Sequence, residues 1–135
     1  MNTLNKVLIV DDSEPLHQIY KLTLKRYKCE VVTALRREEG LIKLAENPEV
    51  NLILVDMNML TSRLSGTEFI KKIKGQEAFK DIPIVVVSMR GQEDSVLEAL
   101  SLAQGNLKKP FTSHEIHELI EKLFPLSAPE RKTLP

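Results

Sequence analysis

The chain has 135 residues, 42% of them hydrophobic and 28% charged, with 19 basic residues against 19 acidic ones. This length suits one domain with a single core, and the balanced charge lacks the basic stripe that electrostatic binding of nucleic acid needs. No apolar run approaches the roughly 18–20 residues of a membrane span, the first residues lack a signal peptide's apolar segment and cleavage site, and Cys29 is alone, so we expect a cytoplasmic protein with no internal disulfide and no direct nucleic-acid or membrane contact.

Lys6–Val10 is a short apolar run rich in β-branched residues, the signature of a strand covered on both faces. It ends in Asp11-Asp12. Ser13 then caps a helix, with Pro15 in the first turn, where a missing N–H costs nothing. Leu16, Ile19, Tyr20, Thr23 and Tyr27 follow helical spacing. Residues 29–34 read as a second strand, and 36–47 as an amphipathic helix with Leu41, Leu44 and Ala45 inward, stopped by Pro48.

Residues 52–55 form the third strand, which ends in Asp56. A nine-residue loop, 57–65, leads to Gly66, which opens a helix with Phe69, Ile70 and Ile73 on its apolar face. Residues 82–87 are the fourth strand, with Pro83 tolerable at its start. Ser88 ends it, and a helix over 92–103 follows. A brief fifth strand at 106–107 leads to Lys108-Lys109-Pro110-Phe111. Thr112 and Glu115 fit a capping box for a last helix with Ile116, Leu119, Ile120 and Leu123 inward. The domain should span residues 1–124. Residues 125–135 hold three prolines with no periodicity and should be a flexible tail or truncated linker.

The pattern is (βα)₅. Regular alternation of apolar strands and helices implies an α/β fold, a doubly wound five-stranded parallel sheet with helices on both faces. In such sheets ligands bind beyond the carboxyl ends of the strands, where the winding reverses. Asp11, Asp12, Asp56 and Ser88 all fall at those ends, and Lys109 follows the last strand. Three carboxylates within about 4 Å of one another repel by roughly 4 kcal/mol per pair at an effective dielectric of about 20. Such a cluster must protonate, pair with a cation or hold a metal. Oxygen-only donors favour a hard divalent ion such as Mg²⁺. The expected ligands are Asp11, Asp12 and Asp56, with the Asn58 main-chain carbonyl completing the set. Once the metal offsets the charge, Asp56 becomes the best candidate nucleophile towards phosphorus. Lys109 offers a point charge and Ser88 a hydroxyl donor for phosphoryl oxygens.

These motifs, taken together and at these spacings, resemble the receiver domain of bacterial two-component response regulators over roughly residues 4–124. The resemblance implies a flavodoxin-like fold with strand order 2-1-3-4-5. It also implies that a histidine kinase or phosphotransfer protein phosphorylates Asp56, with Mg²⁺ at Asp11, Asp12 and Asp56. Lys109 then pairs with the phosphoryl group, Ser88 moves towards it, and the Lys109–Pro110 bond is cis. Phosphorylation would signal by a conformational change and by contact with a downstream protein on the face made by the fourth helix, fifth strand and fifth helix. Such a protein catalyses only its own phosphorylation and dephosphorylation. The chain departs from the family pattern at four places. Leu60 replaces a proline, Gly66 comes two positions late, Met89 replaces a small residue, and Asn106 replaces an aromatic one.

Three other readings compete. A degenerate receiver would act only as a docking module; the retained acids, Ser88 and Lys109 speak against it. A Mg²⁺-dependent phosphatase with an aspartate nucleophile would want an acid where Asn58 stands. A flavodoxin-like carrier would want a phosphate loop after the first strand, where Asp11-Asp12 would instead repel phosphate.

Overall fold

The computed structural model describes residues 3–125. Five strands, β1 (Lys6–Val10), β2 (Glu30–Ala34), β3 (Leu52–Asp56), β4 (Ile84–Met89) and β5 (Gly105–Lys109), alternate with five helices. The helices are α1 (Glu14–Leu24), α2 (Arg37–Glu46), α3 (Gly66–Lys74), α4 (Leu97–Leu102) and α5 (Ser113–Leu123). All strands pair in parallel, in the order β2-β1-β3-β4-β5. The expected doubly wound sheet and its order are both present.

The two-residue side-chain period of the strands divides the core. On one face Leu8, Val10, Ile53, Val55 and Val86 meet Leu44 of α2, Phe69, Ile70 and Ile73 of α3, and Ala99 of α4. On the other, Val7, Ile9, Leu52, Leu54 and Val85 meet Tyr20 and Leu24 of α1 and Ile116 and Ile120 of α5. Gly40 lets α2 approach closely, because a Cβ there would lie 2.9 Å from Val10 Cγ2 and 3.1 Å from Phe69 Cε1. The winding reverses between β1 and β3, and this brings Asp11 beside Asp56.

Local capping follows the sequence. Ser13 accepts from the Leu16 N–H, and Thr112 and Glu115 form the expected capping box. A second box, Ser65 with Glu68, starts α3 and fixes where the 57–65 loop ends.

Several expectations are corrected. Ile19 is 49% exposed and Leu24 takes the buried place on α1. Ala45 of α2 is exposed. The helix expected over 92–103 is a 3₁₀ turn, Glu93–Val96, followed by only six α-helical residues. Its first residues bond their own main chain instead: Gln92 Oε1 accepts from the Met89 N–H, Glu93 Oε1 from Gly91, and Ser95 donates to the Gln92 carbonyl. Such local bonds compete with a helix. The fifth strand is longer than expected and ends on Lys109 itself. The tail expected over 125–135 lies outside the described residues from 126 on. No helix among the described residues is long and apolar enough to cross a membrane.

Candidate functional site

The strand ends deliver the expected groups to one crevice. Asp11 follows β1, Asp56 ends β3, Ser88 sits near the end of β4 and Lys109 ends β5. One carboxylate oxygen each from Asp11, Asp12 and Asp56 lies within 4.8 Å of the others. Asp11 and Asp56 are buried, while Asp12 is exposed at the mouth. The Lys109 ammonium bridges the inner pair, 3.1 Å from Asp11 Oδ2 and 3.3 Å from Asp56 Oδ2. The Lys109–Pro110 peptide is cis. Ser88 is only 2% exposed.

Main-chain donors hold the remaining oxygens. Asp56 Oδ1 accepts from the Asn58 N–H at 3.0 Å. Asp11 Oδ1 accepts from the Ser13 N–H at 2.9 Å. His17, on the buried side of α1, lies with its Nε2 2.7 Å from the Asp11 carbonyl.

One lysine does not satisfy two buried carboxylates. Burial pushes the Asp56 carboxyl up; the Asn58 N–H opposes this, Asp11 adds to it, and Lys109 opposes it, with a net rise. Burial alone would lower Lys109, but Asp56 and Asp11 outweigh it and the ammonium is held above the usual lysine range. A simple ion pair would lower its acid and raise its base. Here both rise, because the cation is shared and a second carboxylate is present. The crevice is therefore short of positive charge, and its all-oxygen donors suit a hard divalent cation. The acidic cluster is able to bind a metal.

One departure from the family pattern, Met89, stands at the rim. Asn58 Nδ2 lies 2.9 Å from Met89 Sδ, so a side chain just after β3 meets the last side chain of β4 at the crevice edge. Leu60 is 96% exposed, and Asn106 on β5 is exposed.

One residue escaped the sequence reading. Arg37 opens α2 inside the run Arg36-Arg37-Glu38-Glu39, which reads as a solvated helix start. It is 3% exposed. Its Nη2 donates to the Asp56 carbonyl and its Nη1 to the Leu64 carbonyl, both at 2.8 Å. The longer 57–65 loop folds over it, and nothing in the local sequence announces that burial.

A crevice of carboxylates, hydroxyl and lysine at the carboxyl edge of such a sheet defines a phosphate-signalling class of domain rather than a nucleotide carrier. The response regulator receiver domain model matches residues 7–121, and the chain belongs to that family. It is 34% identical over 118 residues to the chemotaxis protein CheY1 of Helicobacter pylori, covering 86% of this chain and 94% of that protein. It is 31% identical over 125 residues to protein PilG of Pseudomonas aeruginosa, covering 92% and 90%. Among solved structures, Vibrio cholerae chemotaxis protein CheY4 matches with a TM-score of 0.78 at 30% identity, covering 90% of this chain and 99% of that one. The chain is thus a response-regulator receiver homologous to chemotaxis regulators.

Proposed function

We propose that Asp56 is the phosphoacceptor of this receiver, with Mg²⁺ held by Asp11, Asp12, Asp56 and the Asn58 carbonyl. The observation that carries the reading is the inner carboxylate pair bridged by Lys109, with Asp12 at the mouth. A histidine kinase or phosphotransfer protein supplies the phosphoryl group. An Asp56 carboxylate oxygen forms the new O–P bond, the donor's P–N bond breaks, and the electron pair leaves with the imidazole. Mg²⁺, when bound, supplies charge neutralisation for the acceptor and the transferring oxygens. Lys109 already contacts Asp56 and is placed to pair with a phosphoryl oxygen, and Ser88 offers a hydroxyl from the neighbouring strand. The protein acts by its own modification rather than on a diffusible substrate.

The acyl phosphate adds about −1.5 to −2 charges to the crevice. That change biases a two-state equilibrium. Its output face is proposed to be α4, β5 and α5; on the β5–α5 side of it Asn106, Lys108, Glu115, Glu118 and Lys122, with Arg90 after β4, line a shallow cleft. A downstream protein is the partner; the proposed setting is the cytoplasm.

Incubation with a small phosphodonor and Mg²⁺ should add one phosphoryl group by intact mass, and Asp56→Asn should add none. No gain with any divalent metal sinks the proposal. Met89 stands against Asn58 at the crevice edge and limits access by attacking water. The phosphorylated Met89→Ala protein should therefore lose its label several-fold faster, on the order of one decade, in a timed mass measurement. An unchanged decay rate would remove Met89 from the account.

A further inference from the structure

The Asp56 carbonyl lies outside the β3–β4 ladder, in which the Met57 N–H pairs with the Val87 carbonyl. The guanidinium of Arg37 takes it. The same planar fork takes the Leu64 carbonyl at the far end of the loop. Its Nε is buried with no hydrogen-bond partner. A buried arginine whose acceptors are two neutral carbonyls is costly unless nearby charge compensates. The compensating charges here are Asp56, Glu38 and Asp12. Loop and helix are joined again around it. The Arg37 N–H donates to Ser62 Oγ at 2.9 Å, and Glu38 Oε2 accepts from the Arg63 and Leu64 N–H groups at 2.9 and 2.6 Å.

We infer that Arg37 is a positioning residue for the phosphorylation site: its fork sets the peptide group between Asp56 and Met57 and ties it to the 57–65 loop. The orientation of that peptide decides where the next main-chain groups point. The next peptide group offers its Met57 carbonyl to Gln92 Nε2 and its Asn58 N–H to Asp56 Oδ1. After it comes the Asn58 carbonyl, the proposed fourth metal ligand. Arg37 touches neither the metal nor the phosphoryl group; it acts through the Asp56 main chain. The inference rests on reading the crevice as the Mg²⁺ and phosphoryl site. By linkage, a metal that uses this geometry also stabilises the loop that maintains it.

Lysine at position 37 keeps the charge and loses the fork. Calorimetric titration with Mg²⁺ should show Arg37→Lys binding about tenfold more weakly than wild type, the usual scale for a residue that orients a ligand from behind. Ser62→Ala removes a loop contact to the Arg37 main-chain N–H but leaves the fork and its compensating carboxylates in place, and should stay within about twofold of wild type on that scale. Arg37→Lys binding like wild type overturns the inference, and so does Ser62→Ala weakening as much as Arg37→Lys. Hydrogen exchange on the wild type alone gives a second test that needs no variant to fold. Mg²⁺ should slow exchange at the Arg63 and Leu64 amides, and unchanged exchange in a protein that binds Mg²⁺ also overturns it. A wild type that takes up no Mg²⁺ overturns the proposed function together with this inference, whereas a failure confined to the variants leaves that function standing.

Discussion

Lys109→Ala is expected to destabilise the metal-free protein by about 3 kcal/mol, and saturating Mg²⁺ should return most of that loss. The lysine is the one cation among the described residues in ion-pair contact with Asp11 and Asp56, whose side chains are 2% and 1% exposed. Removing it leaves two buried carboxylates facing each other. The pH dependence has a definite sign. Lys109 is held above the ordinary lysine value of 10.5, so its contribution is complete below that value and lost as pH rises through its folded value. Asp56 is held above 3.8, so its ionisation costs stability as pH rises through the window above that value. The deficit of Lys109→Ala should thus be full at neutral pH and shrink as Asp56 becomes protonated. Urea denaturation with and without Mg²⁺, at neutral and acid pH, measures it. A deficit equal at both pH values, or indifferent to Mg²⁺, would show that the lysine acts by packing alone.

Phe69→Ala should cost about 3–5 kcal/mol, enough to unfold much of the population of a marginal domain. Phe69 is fully buried and belongs to the core cluster between α3 and the sheet. The position facing it on α2 is Gly40, so that helix offers no side chain to fill the space. Thermal and urea unfolding followed by circular dichroism report the loss. A change under about 1 kcal/mol would mean that the site collapses around the cavity, which a close-packed interior resists.

The three central strands, β1, β3 and β4, were readable because each is a nearly continuous apolar run, buried on both faces, whereas β5, Gly-Asn-Leu-Lys-Lys, buries only Leu107 and was read short. The crevice was readable for a related reason: polar residues that end such runs have one place to go. Helix faces were less legible. Ile19 and Ala45 fit an apolar stripe by spacing, yet they lie at its edge, where a few tens of degrees decide exposure. The region 92–103 has apolar residues enough for a helix. Gln92, Glu93 and Ser95 divert the main chain through short-range bonds, which hydrophobic spacing does not report. Arg37 was beyond local reading altogether, because its burial is set by a loop that begins twenty residues later in the chain. His17 likewise passes for a surface residue until the fold places it under Asp11.

The bridging of Asp56 by Lys109 joins residues 53 positions apart, from the centre of the sheet and from its edge strand. No contiguous segment of the chain contains the reactive constellation. An unfinished chain, lacking β5, holds its carboxylates without their cation. Long-range closures of this kind weigh heavily on folding rates. On the proposed function, competence to accept phosphate arrives only with docking of the last strand, so a brief exposure to phosphodonor during refolding should label finished molecules and pass over the rest.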